Sequence, residues 1–105
     1  MMNSPRLEQL LEFYKEDPND AFSIYAIATE YLKSDLTLAR KYFEILLKDH
    51  PDYLPTYYHV AHLYEELDEN ELAEKAYRKG IILATKQGNA TTLRELKNAL
   101  DELMF

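Results

Sequence analysis

The chain has 105 residues, of which 47% are hydrophobic and 30% charged, with a net charge of -7. This composition is typical of one globular domain, and the negative charge disfavours binding to nucleic acid or to anionic membrane surfaces. Because cysteine is absent, disulfides, thiolate metal sites and cysteine nucleophiles are excluded. The sequence begins without a signal-peptide pattern and contains no stretch apolar enough to span a membrane. We therefore expect a cytoplasmic protein.

The first half of the sequence predicts three helices. Ser4-Pro5 is typical of a helix start, and polar or proline-containing turns follow at Asp17-Pro18, Ser34-Asp35 and His50-Pro51. Between these turns, apolar residues recur at helical spacing in three stripes: Leu7, Leu10, Leu11 and Tyr14; Ile24, Ile27, Ala28 and Tyr31; Leu36, Ala39, Phe43, Leu46 and Leu47.

Three further helices are predicted from Pro55 onwards. A polar break lies at residues 67–69, and Gly88 is typical of a helix C-cap. Thr92 and Glu95 have the spacing of a capping box, which predicts that the last helix opens there. The apolar stripes are Tyr57, Val60, Ala61 and Tyr64; Leu72, Ala73, Ala76, Tyr77, Gly80 and Ile81; Leu93, Leu96, Leu100 and Leu103.

The fourth and fifth predicted helices repeat the second and third. The stripe Ile24, Ile27, Ala28, Tyr31 recurs 33 residues later as Tyr57, Val60, Ala61, Tyr64, and the pair Ala39, Phe43 recurs 34 residues later as Ala73, Tyr77. Alanines at these positions allow two helix backbones to approach closely, and the aromatic residues fill the space beside them. Gly80 lies inside a helix, where it costs roughly 1 kcal/mol relative to alanine, so we expect a tight helix crossing at that residue.

This spacing resembles the tetratricopeptide repeat, in which a large residue, leucine, a small residue and tyrosine on one helix precede alanine, an aromatic residue and proline on the next. The resemblance implies an all-α helix-turn-helix solenoid of about six antiparallel helices in a right-handed superhelical stack. It divides a single domain, residues 1–105, into a degenerate half-repeat helix (5–18), repeat 1 (21–51), repeat 2 (54–85) and a C-terminal capping helix (90–105). Arg6 and Thr85 depart from the pattern, but they lie in units where departures are usual.

In tetratricopeptide proteins the first helices of successive pairs line a concave groove that binds peptides or proteins. The resemblance therefore implies a non-enzymatic interaction scaffold without a cofactor. Some family members grip acidic tails with lysines and asparagines, whereas Lys33 is the one basic residue at the matching positions here, so we expect a neutral or basic protein or peptide partner. The alternative for Phe22, Tyr25 and Tyr58 is that they only cover neighbouring helices. The groove residues implied are Phe22, Tyr25, Thr29 and Lys33 from one repeat and Pro55, Tyr58, His62, Glu65 and Glu66 from the other.

Two histidines raise the question of a metal site. A helical wheel places His59 and His62 on one exposed face, with Glu66 one turn further on. The spacing is not that of helical zinc hydrolases, and no other helix supplies a histidine. We therefore predict a solvated face without metal, with metal binding by these three residues as a less favoured alternative.

A run of carboxylates follows the histidines, but we predict no catalytic residue there, because carboxylates in solvent lack the environment that separates their pKa values. These residues are Glu65, Glu66, Asp68, Glu69, Glu71 and Glu74. A second functional alternative is self-association as a homodimer, through the three apolar residues Leu103-Met104-Phe105 at the end of the sequence. The alternative for these three residues is that they dock on the core of their own chain.

Overall fold

The computed structural model describes residues 3–105 and contains, within that range, six α-helices and no strand. The helices are α1 (Pro5–Glu16), α2 (Ala21–Tyr31), α3 (Leu36–Asp49), α4 (Pro55–Glu66), α5 (Asn70–Gln87) and α6 (Ala90–Met104). The predicted all-α class is confirmed. The chain divides into two compact units, the first ending at Tyr53 and the second running from Leu54 to Phe105.

In the first unit, α1 packs on α2 and α2 packs on α3. Asp20 and Asp35 begin α2 and α3 by accepting hydrogen bonds from the backbone amides of Ser23 and Leu38, which satisfies donors that a helix start leaves unpaired. The predicted start of α1 is confirmed in the same way, because the Ser4 hydroxyl accepts from the Leu7 amide at 3.1 Å.

The core of the first unit combines small and aromatic residues. Ala28, Ala39 and Phe43 are fully buried, as their places in the repeat predict. On the side facing α1, Tyr42 stacks on Tyr31 with ring centres 5.7 Å apart and meets the edge of Tyr14 at the same distance. Such pairs add to the stabilisation that burial of the rings provides.

In the second unit, α4 packs on α5 and α5 packs on α6. The predicted tight crossing at Gly80 is confirmed: a Cβ atom at this residue would lie 2.8 Å from Tyr57 Cβ and 3.0 Å from Leu96 Cδ1. No side chain fits at such distances without movement of its neighbours. Glycine therefore allows α5 to approach both α4 and α6. Ala61 and Ala73, in the same two repeat helices, are fully buried.

The turns of the second unit differ in part from the expected ones. Gly88 ends α5 in the left-handed conformation, as predicted. The predicted capping box at Thr92 is wrong, because α6 already begins at Ala90, and the Asn89 side chain caps it by accepting from the Thr92 amide. In the turn between α4 and α5, Asp68 has a φ of 60°, a value that few non-glycine residues adopt.

Candidate functional site

The predicted binding residues of α2 differ in their exposure to solvent. Phe22, in the first turn, is 60% exposed. Tyr25, one turn further, is half-buried, and its ring centre lies 5.7 Å from that of Tyr53. Burial, and then Tyr53, raise the pKa of Tyr25 above its ordinary value. The alternative that these aromatics cover neighbouring elements therefore applies in part to Tyr25 and not to Phe22.

Thr29 and Lys33 already have partners within the first unit. The Thr29 hydroxyl donates to the Ala26 carbonyl at 3.0 Å, and Lys33 Nζ lies 3.2 Å from Glu30 Oε1, which Arg6 approaches at the same distance. Lys33 does not lie on the helix itself, because α2 ends at Tyr31 and Lys33 lies in the following turn.

The predicted binding residues of α4 form a more connected set. Pro55 is exposed at the first position of the helix, and Glu66 is exposed at its last. Between them, the Tyr58 and His62 rings meet edge to face with centres 4.5 Å apart. The His62 side chain remains 46% exposed, so a bound molecule can reach it.

Glu65 is the carboxylate that the structure holds in a defined position. The Tyr77 hydroxyl, from α5, donates to Glu65 Oε2 at 2.5 Å, and His62 Nδ1 lies 3.7 Å from the same oxygen. The Glu65 side chain is 31% exposed, so it is less solvated than its place in the run of carboxylates predicts. Burial, followed by the hydrogen bond to Glu65, raises the pKa of Tyr77 far above its ordinary value, so this hydroxyl stays protonated and donates.

Tyr77 is the residue of this site that the repeat pattern does not identify, because its position predicts only a buried aromatic. A signal exists in its identity: a buried tyrosine, unlike phenylalanine, needs a hydrogen-bond partner for its hydroxyl. Glu65, which lies near the C-terminal end of the helix that pairs with α5, is a suitable acceptor.

The two histidines are less alike than the wheel predicts. His59 is half-buried, and burial, followed by the neighbouring His62, lowers its pKa. The prediction that both histidines lie on an exposed face therefore holds for His62 and only in part for His59. Across residues 3–105, no three histidine or carboxylate side chains lie close enough together to hold a metal ion.

The apolar end of the chain is partly exposed. Leu103 is half-buried, Met104 is exposed, and the Phe105 ring is completely open to solvent. Phe105 therefore does not dock on the core that the structure describes. In the first unit, Phe13 and Phe22 are likewise exposed and border a shallow cavity of about 570 Å³ between α1 and α2, with Asp17 and Asp20 on its rim.

These features define a helical-repeat protein whose first helices carry aromatic and acidic side chains, and comparison with solved structures identifies its family. The chain is 42% identical to a tetratricopeptide repeat domain protein from Salinibacter ruber, whose solution NMR structure it matches with a TM-score of 0.78 over 83% of this chain and 89% of that one. A crystal structure of a tetratricopeptide repeat domain protein from the same organism matches at 41% identity with a TM-score of 0.77, over 81% of this chain and 96% of that one.

The chain therefore belongs to the tetratricopeptide repeat family. A third structure, of the protein MamA, shows likeness of fold alone, at 18% identity and a TM-score of 0.67, over 93% of this chain and 66% of that one. No protein-family model and no curated protein matches the chain. None of the helices described here is both long and apolar enough to cross a membrane.

Proposed function

We propose that the chain is a non-enzymatic scaffold that binds a segment of another protein through the first helices of its two repeats, α2 and α4. Membership of the tetratricopeptide repeat family supports an interaction scaffold in general. The observation that carries the more specific proposal is that both helices present aromatic side chains at their surface: Phe22 is exposed on α2, and half-buried Tyr58 lies beside the exposed His62 on α4. Aromatic side chains on a rigid helix are effective anchors for a partner.

The charge of these helices indicates the kind of partner. Neither α2 nor α4 contains a lysine or an arginine, whereas Glu30, Glu65 and Glu66 lie on them. Lys33 lies beyond the end of α2 and is paired with Glu30. A clamp for an acidic tail needs several basic residues, so the proposed partner is a neutral or basic segment.

The test begins with peptides selected from a random displayed library on the purified chain. We expect the selected peptides, labelled and titrated by fluorescence anisotropy, to lose most of their affinity for a Phe22→Ala/Tyr58→Ala variant and to keep it for Ile82→Ala. Ile82 is an exposed apolar residue of α5, so this control removes a similar surface outside the proposed site. Equal binding to all three proteins contradicts the proposal.

The preference for charge is tested with two versions of one selected peptide, extended by lysines or by glutamates. Because the whole chain is acidic, the comparison is made at low and at high salt, where long-range attraction is screened. We expect the lysine version to bind more tightly in both conditions. Tighter binding of the glutamate version contradicts the proposed partner class.

The proposal treats residues 1–105 as a single domain, and one cooperative transition in calorimetry is the expected result. Self-association is a second candidate function, favoured by the exposure of Met104 and Phe105. Light scattering of the full chain and of a version ending at residue 102 distinguishes the two. A dimer that becomes a monomer on truncation supports self-association, and a monomer in both cases removes it.

A further inference from the structure

The two repeats of this chain provide an internal comparison for the pair Glu65 and Tyr77. At the corresponding places of the first unit, 33 and 34 residues earlier, stand Leu32 and Phe43. Phe43 is fully buried there, so the repeat forms with an apolar pair at these positions. Glu65 and Tyr77 therefore form a hydrogen bond that the repeat does not need in order to fold, and the Glu65 side chain remains 31% exposed.

The surroundings of Glu65 are those of a prepared acceptor for a positive charge. The Tyr77 hydroxyl fixes one carboxylate oxygen at 2.5 Å, and the imidazole of His62 lies beside it with the Tyr58 ring 4.5 Å away, centre to centre. In residues 3–105, His62 is the one basic side chain within ion-pair distance of this carboxylate. Glu102 of α6 contributes to the raised pKa of Tyr77, so the Tyr77 hydroxyl is influenced by negative charge from a third helix.

We propose that Tyr58, His62 and Glu65 form a subsite for an arginine side chain of the bound protein segment. A planar guanidinium stacks on aromatic rings and pairs with a carboxylate at the same time. Arginine fits this combination better than lysine, whose ammonium is more strongly hydrated and lacks the flat face. The inference rests on the proposed function and names the residue of the partner that this part of the scaffold recognises.

The test is a titration of the isotopically labelled full chain with Nα-acetyl-arginine amide, followed by NMR at pH 8, where imidazole is ordinarily neutral. The neutral isostere Nα-acetyl-citrulline amide is the comparison ligand, and the lysine derivative is a third. We expect saturable shifts centred on Tyr58, His62, Glu65 and Tyr77 with arginine, smaller shifts with lysine and none with citrulline. Uniform shifts near all carboxylates, or equal effects of citrulline, overturn the inference.

Two variants make the test specific. Glu65→Gln keeps the shape of the side chain and should weaken arginine binding roughly tenfold, whereas Glu95→Gln, an exposed carboxylate of α6, should leave it unchanged. Tyr77→Phe should give an intermediate loss, because Glu65 is then no longer held in place. Equal affinity of Glu65→Gln and the native chain overturns the inference.

The outcome is separable from that of the proposed function. If the selected peptides bind and depend on Phe22 and Tyr58, but neither arginine nor Glu65 affects binding, the proposed scaffold function is supported and the arginine subsite is not. If arginine binds at Glu65 but no peptide is retained by α2 and α4, the arginine subsite is supported and the proposed peptide-binding function is contradicted.

Discussion

Leu46 of α3 and Gly80 of α5 occupy the same position of the repeat, and so do Ile24 of α2 and Tyr57 of α4. All four residues are buried. In the first unit both residues of the pair, Ile24 and Leu46, have medium-sized aliphatic side chains. In the second unit Tyr57 has a large side chain and Gly80 has none. The repeat therefore tolerates different distributions of side-chain volume between these two positions, provided that the interior is filled.

A second difference between the units is chemical. The first unit has Leu32 and Phe43 where the second has Glu65 and Tyr77. Packing is satisfied in both, but only the second unit places a hydrogen-bonded carboxylate at this position. The comparison separates what the repeat needs in order to fold from what this chain adds to it.

The largest effect on stability is expected from removing side-chain volume at Leu46 in the first unit. Leu46 is fully buried, and Leu46→Ala should lower the free energy of unfolding by about 2–5 kcal/mol, because the neighbours cannot fill the cavity completely. Chemical denaturation measures the change. A loss below about 1 kcal/mol would show that the first unit closes the gap and is not closely packed at this position.

Alanine at the same repeat position of the second unit changes volume in the opposite direction. Gly80→Ala ordinarily stabilises a helix by about 1 kcal/mol, but the added Cβ would lie 2.8 Å from Tyr57 Cβ. We expect a net loss of about 1–3 kcal/mol from overpacking. A variant with higher stability than the native chain in the same denaturation experiment would disprove the tight crossing.

The polar pair of the second unit should contribute less. Tyr77→Phe removes one hydrogen bond to a carboxylate that water can still reach, so we expect a loss of about 1 kcal/mol. The matched change, Phe43→Tyr, places a hydroxyl where Leu32 offers no acceptor and should cost about 1–3 kcal/mol. If both substitutions left the free energy of unfolding unchanged in urea melts, the chemical difference between the units would not contribute to stability.

The same tyrosine gives a dependence on pH with a definite sign. Since the pKa of Tyr77 is raised in the folded state, its unfolded form loses the proton first, at the ordinary value near 10. The stabilisation is fully present below about pH 10 and is lost as the pH rises above that value. In thermal melts from pH 8 to 11, the melting temperature should fall less for Tyr77→Phe than for the native chain. Equal falls in the two proteins would show that ionisation of Tyr77 is not the cause.

The smallest effect concerns the beginnings of α2 and α4. In α2, the Ser23 hydroxyl donates to Asp20 at 2.6 Å, whereas at the equivalent place in α4 the hydroxyl of buried Thr56 has no hydrogen-bond partner among the described residues. Thr56→Val should therefore be neutral or stabilising by up to about 1 kcal/mol, and Ser23→Ala should be destabilising. A clear loss for Thr56→Val in a thermal melt would show that this hydroxyl does have a partner in solution.

Most of the fold was predictable because it depends on local signals. Ser4, Asp35 and Gly88 mark helix ends by chemistry that acts within four residues, and the position of Gly80 within a helix predicts its close crossing. The capping residue of α6 was predicted wrongly because Asn89 and Thr92 both have side chains that can cap a helix, and the cap is Asn89, which lies three residues earlier.

The site was less predictable because its contacts join different elements. A helical wheel gives the direction of Tyr25 and of Glu65, but not that Tyr53 and Tyr77 reach them. Such contacts depend on the axial offset of packed segments, which residue spacing within one helix does not contain. The wheel also assumes that the helix continues, and for Lys33 it does not.

The backbone of Asp68 has a consequence for engineering. Tetratricopeptide units are often used as building blocks, because the stability of an array is approximately a sum over its copies and their contacts. Any duplication of the second unit would also duplicate the φ of 60° at Asp68, a conformation that glycine adopts without steric cost. A designer who concatenates this segment should test glycine or asparagine at residue 68, since a small gain per copy would accumulate along the array.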